Sequence, residues 1–193
     1  MRLYLTAAAV LLAGSAAFAA VSSFSAQEPA APSAQHKQLQ EGVGTFEGVV
    51  TMLYPGAEGQ TSTAKETITA HGPFWVKSDF TMPMGPGMNY EGHGMFGYSV
   101  ASGKYTGTWI GSTEDHLAIM EGDYDEKSGV MTMHWMAPNM MTKKLTKHHS
   151  ETTRTKDSYT MTFFEEGSPI WKMDMKRTSK PVEAVMDGDS HSK

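Results

Sequence analysis

The chain has no cysteine among its 193 residues, which excludes disulfides, thiol nucleophiles and cysteine-ligated zinc or iron–sulfur centres. Its stability must come from packing. Basic stretches are also scarce: 16 Lys and Arg stand against 21 Asp and Glu, for a formal net charge of −5. Beyond Lys143-Lys144 and Lys147-His148-His149 there is no basic cluster, so neither nucleic acid nor an anionic membrane is expected as a partner. Catalytic signatures are missing as well. Neither Gly-x-Ser-x-Gly nor His-Glu-x-x-His occurs, and the eight histidines include no His-x-His pair. Ser112, Glu114, Asp115 and His116 crowd into one short run, where triad geometry is hard to reach. We therefore expect no catalytic residues, no cofactor and no dedicated metal site. Asp123 and Asp125 flank Tyr124 just before a Ser-Gly turn, where carboxylates cap backbone N–H groups.

One apolar run is present, from Leu3 to Ala20 behind Arg2, with Ala17-Phe18-Ala19 as a small-x-small cleavage site. It is short for a bilayer span and lacks a basic stop-transfer flank, so residues 1–19 read as a secretory signal peptide and the mature chain as having no membrane span. The expected location is the periplasm or the extracellular medium. Residues 20–35, with Pro29 and Pro32 among Ala and Ser, read as a flexible spacer, and residues 179–193 as a disordered tail. The folded domain is expected over 36–178.

Within that domain almost nothing has the length and period of a helix, apart from a short turn at 35–40. An internal echo carries more information. Tyr98-Ser-Val-Ala-Ser-Gly-Lys-Tyr-Thr-Gly-Thr-Trp109 aligns without a gap on Tyr124-Asp-Glu-Lys-Ser-Gly-Val-Met-Thr-Met-His-Trp135, 26 residues on. Both copies read strand, Ser-Gly turn, strand. The spacing suits consecutive hairpins, and turn chemistry recurs at Pro55-Gly56, Met84-Gly-Pro-Gly87, Lys156-Asp157 and Glu166-Gly167. The class is all-β: an antiparallel up-and-down meander of about ten strands, closing into a barrel that removes exposed edges. Strands are expected near 44–54, 62–70, 73–81, 88–99, 104–111, 116–124, 130–137, 141–154, 158–165 and 168–178. The segment Thr81 to Tyr90, rich in Pro, Gly and Met, is expected to escape regular pairing and form a portal loop.

Alternate side chains on a strand share a face, so parity selects an interior. The expected inward sets are Tyr105, Gly107 and Trp109; Met131, Met133 and Trp135; Phe74, Val76 and Phe80; and Trp171, Met173 and Met175.

Several separated motifs occur in one order: His36-x-x-Leu39, Gly44-Thr45-Phe46-Glu47-Gly48, Gly97-Tyr98, Lys104-Tyr105-Thr106-Gly107-Thr108-Trp109, Gly122-Asp123-Tyr124-Asp125 and a closing strand ending at Arg177. Together they resemble the bacterial family called domain of unknown function 1579, with Phe46 where that family usually carries Trp. The resemblance covers nearly the whole folded unit. It implies a single β-barrel related in shape to the lipocalin and nitrobindin groups, with no established activity. As in lipocalin-like barrels, Arg177 from the last strand could cover Phe46 on the first and seal one end. The alternative is that its guanidinium faces the cavity and anchors a ligand carboxylate or phosphate.

Methionine is over-represented, at 16 residues, in pairs such as Met82-x-Met84, Met131-x-Met133 and Met173-x-Met175. Such a lining adapts to irregular apolar ligands. The expected function is accordingly non-catalytic binding of a small hydrophobic or amphipathic molecule. The cavity lining would be Trp75, Trp109, Met131, Met133, Trp135, Trp171 and Met173, with Arg177 as polar anchor. Two alternatives remain open: a periplasmic copper-binding protein using the methionines with His134, His148 and His149, because thioethers are soft ligands, and an enzyme of unassigned class.

Overall fold

A computed structural model describes residues 31–139 and 141–179. The signal-peptide segment 1–19, most of the 20–35 spacer and the tail beyond Ser179 lie outside the described residues. The chain forms a short helix α1 (Ala34–Glu41) followed by ten strands: β1 (Gly44–Met52), β2 (Thr61–His71), β3 (Trp75–Gly85), β4 (Met88–Ser99), β5 (Lys104–Gly111), β6 (Ala118–Asp125), β7 (Val130–Pro138), β8 (Leu145–Arg154), β9 (Ser158–Glu165) and β10 (Ser168–Ser179). Every strand pairs antiparallel with its sequence neighbours, and β1 pairs with β10, so the sheet is a closed up-and-down barrel. The internal echo maps onto successive hairpins. In each the turn glycine is left-handed, Gly103 at φ 69° and Gly129 at φ 71°, and its N–H returns 2.8 Å to the carbonyl four residues earlier, Ser99 or Asp125.

Because α1 leads directly into β1, it lies at one end of the barrel, with the β2–β3, β4–β5, β6–β7 and β8–β9 turns. We call this the helix end, and the opposite one the far end. His36 fixes the helix there. Its Nδ1 accepts the Ser33 N–H at 3.0 Å, which leaves Nε2–H to donate to the Tyr98 carbonyl at 2.9 Å. The ring is buried edge-on against Phe74 at 5.0 Å and Tyr98 at 5.7 Å. Tyr105 adds a hydrogen bond from its hydroxyl to Gln38 Oε1 at 2.5 Å, and Leu39 packs on the core below.

Arg177 closes this end. Its guanidinium carbon lies 4.6 Å from the centre of the Phe46 ring, and its three nitrogens donate to main-chain carbonyls: Nε to Lys156 at 3.0 Å, Nη2 to Glu41 at 2.9 Å and Nη1 to Val43. The expectation that Arg177 anchors a ligand is thereby corrected, since every nitrogen is already engaged with backbone. Gly44 makes the contact possible. Its φ is 150°, and a Cβ there would come within 2.3 Å of Arg177 Nη1.

Inside, the bore is divided between two packed clusters. One centres on Phe46, Val50, Ile68, Val76, Phe80, Tyr159, Met173 and Met175; the other on Tyr105, Met120, Met133 and Trp135. A polar group sits within the first. The inward Glu66 carboxylate accepts hydrogen bonds from Ser78 Oγ at 2.5 Å and from the Tyr159 hydroxyl, while Arg154 covers the Tyr159 ring at 4.7 Å.

Several expectations need correction. The Thr81 to Tyr90 segment is paired: Thr81 faces Glu91, Met82 faces Tyr90 and Pro83 faces Asn89. The ladder shifts register between Pro83 and Gly85, and that irregularity accommodates the donor proline lacks. β8 begins at Leu145 rather than 141, because Asn139 Oδ1 accepts the N–H groups of Met141 (3.0 Å) and Thr142 (2.7 Å) and holds a turn. Asp125 caps its turn as expected, accepting from Lys127 N at 2.9 Å and Ser128 Oγ at 2.8 Å, but Asp123 instead pairs with Lys104 at 2.6 Å.

Candidate functional site

Strand parity sends one inward residue from each of β7, β8, β9 and β10 to neighbouring positions in the far half of the bore. Trp135 stands opposite His148, and Phe163 opposite Trp171. The rings form a continuous panel: Trp135 stacks on His148 (5.9 Å, 15°) and meets Phe163 edge-on (4.8 Å), and Phe163 stacks on Trp171 (4.6 Å, 18°). Phe163, Trp171 and, across the bore, Trp109 point inward yet are only partly buried.

Beside this panel lies a buried polar pair. His148 is 5% exposed, and its Nε2 is 3.1 Å from Thr146 Oγ1 and 3.6 Å from Glu165 Oε2. Burial holds the imidazole below its ordinary value; Glu165 and Glu166 oppose that shift and His116 reinforces it. The ring is therefore neutral near pH 7. The Thr146 hydroxyl donates to the Ala137 carbonyl at 3.4 Å, so it can accept only the proton on Nε2, and Nδ1 carries the lone pair. Asn139 Nδ2 donates to Glu165 Oε1. His148 Nδ1 and Glu165 Oε2 are buried with no hydrogen-bond partner.

The residues singled out from sequence are distributed as follows. Trp135 and Trp171 belong to the panel, and Met133 lies one step from Trp135 on the same face of β7. Met131, a further step toward the helix end, is partly buried. Trp109 lies over Gly92 and Gly94, where any Cβ would strike its ring, and donates from Nε1 to the Tyr90 hydroxyl at 2.9 Å. Met173 is core, 3% exposed. Trp75 needs correction: it is 40% exposed on the outer face, because Val76, Ser78 and Phe80 take the inward positions. Outside, its ring covers the bare backbone of Gly97, its ladder partner. Phe74 precedes β3 and packs under His36.

Sequence reasoning missed Phe163 and Glu165, and named His148 only as a copper donor. Parity from Tyr159 through Met161 leads to Phe163 and Glu165, but Phe164 beside Phe163 blurs the alternation. His148 and His149 face opposite ways: His149 stacks outside on Phe164 at 4.3 Å. A cleft of about 300 Å³ opens at the helix end between Gln38, Tyr98, Tyr105, Asp123, Tyr124 and Glu126. Among the described residues no three His, Asp or Glu side chains converge as a metal site, and no helix is long and apolar enough to cross a membrane.

A closed ten-stranded meander with a helical lead-in and an Arg-over-Phe seal defines the class of lipocalin-shaped single barrels. Within that class the chain belongs to the family described as Protein of unknown function (DUF1579), which it matches over residues 31–179. No match was found among curated proteins. Among solved structures the chain is similar to a de novo designed fluorescence-activating β-barrel, at 15% identity, 72% coverage of this chain and 95% of that one, and TM-score 0.40. It is also similar to the 12:0-ACP thioesterase from Umbellularia californica, at 11% identity, 70% and 75% coverage, and TM-score 0.20. Both likenesses are distant, and neither bears on function.

Proposed function

We propose that this is an exported binding protein that holds a small apolar or amphipathic molecule in the far half of its barrel and performs no chemistry on it. One observation carries the reading: Phe163 and Trp171 face the bore, stacked and held by neighbouring strands, yet retain exposed surface that a filled core would have covered. Trp135 and Met133 extend the same face, and the soft methionines let it adapt to irregular shapes. The copper alternative has less support, because its donors divide between the two faces of the sheet. Met131, Met133 and His148 share the inward face, whereas His134 and His149 lie outside with ring centres 5.6 Å apart.

Native mass spectrometry of the gently purified protein tests the proposal. A reproducible extra mass that disappears on denaturation and extracts into organic solvent supports it. A clean apo mass that stays unchanged when apolar compounds are added refutes it.

A further inference from the structure

The polar pair beside the aromatic panel specifies the ligand more closely, an inference that rests on the binding function proposed above. Glu165 is 16% exposed at its side chain, and only Oε1 is hydrogen-bonded, to Asn139. Its Oε2 has no protein donor, and among the described residues no Lys or Arg pairs with it. His148, 4% exposed at its side chain, cannot fill that role well. It lies 3.6 Å away, beyond good hydrogen-bond length, with Nε2 shared with Thr146. A half-satisfied buried carboxylate is costly, and here it stands next to a second bare acceptor, His148 Nδ1. Both vacancies are acceptors. A carboxylate or phosphate ligand would add repulsion, whereas a donor with positive charge completes the set. The nearby aromatic rings tolerate a cation, because their faces carry negative quadrupole potential.

We propose that the barrel takes a primary amine in its protonated form, the ammonium group donating to Glu165 Oε2 with His148 Nδ1 as second acceptor, and the apolar part lying along Phe163 and Trp171. The site thus selects cationic amphiphiles over neutral or anionic ones of the same length. No bond is made or broken.

Isothermal titration of the purified protein with octylammonium, 1-octanol and octanoate tests this. Octylammonium should bind at least about tenfold more tightly than octanol, and octanoate least tightly, because the ammonium adds charge–charge attraction to the carboxylate that a hydroxyl lacks and a second carboxylate reverses. Glu165→Gln should abolish the preference for octylammonium over octanol. Should that variant fail to fold, the ranking of the three probes on the unaltered protein still decides. Equal affinities, or a preference for octanoate, would overturn the amine assignment and leave the binding function standing. Failure of all three to bind would overturn both. Trp171→Leu, which keeps Glu165, should weaken octylammonium and octanol alike; weakening only one would refute the shared apolar wall.

Discussion

Replacing Arg177 with Ala should cost about 3 kcal/mol. The substitution removes the hydrogen bonds to Glu41 and Lys156, both near solvent, the half-buried bond to Val43, and the guanidinium cover over Phe46. Solvent-exposed hydrogen bonds are each worth about 0.5 kcal/mol, a half-buried charge-assisted one about 1.5, and a partly exposed cation–π contact about 0.5 to 1. The loss falls where β1 and β10 close the sheet and where α1 joins β1, so it should appear as global destabilisation. Urea unfolding followed by tryptophan fluorescence measures it. With a slope of about 2 kcal/mol per molar urea, the midpoint should fall by about 1.5 M at unchanged slope. Arg177→Lys keeps the charge but not the three-way fork, and should lie between the two. A midpoint for Arg177→Ala within about 0.2 M of the unaltered protein would refute the claim that this side chain seals the barrel.

Two further predictions concern titration. Burial lowers the His148 pKa, so the unfolded chain binds this proton more readily: the stabilising contribution is present above about pH 6.5 and is lost as pH falls through the folded value. Stability should therefore decline as pH falls below about 6.5, and His148→Gln should flatten that slope; an identical slope in the variant would show that other groups cause it. Burial also pushes Tyr90 and Tyr105 up to about 12, with Glu114 adding to the first, while burial and then Glu66 hold Tyr159 well above its ordinary value. Raised tyrosines stabilise the fold below about pH 10 and stop doing so as pH climbs through their folded values, so an ultraviolet titration at about pH 11 should find all three still protonated. Full ionisation at that pH in folded protein would contradict the buried placements.

Strand number, order and most boundaries were legible in the sequence because glycine-bearing turns and period-two alternation are local properties of the chain. The Tyr98 and Tyr124 copies became two hairpins closed by the same turn. Errors fell where a local rule met a longer-range contact. Pro83 resembles a break, yet a register shift across β3–β4 absorbs it; Trp75 resembles interior, yet Gly97 on the next strand gives its ring a place outside.

By itself the sequence determined that the chain must be a cysteine-free, all-β meander with a methionine- and tryptophan-rich interior, since those properties follow from composition and spacing. Only the tertiary structure decided that Arg177 seals an end instead of greeting a ligand, and that His148, Trp135, Phe163, Trp171 and Glu165 meet. Those five lie on four consecutive strands brought together by hairpin pairing and register. A one-residue slip in any pairing would turn that strand's contribution out to solvent, so no local pattern could have assembled them.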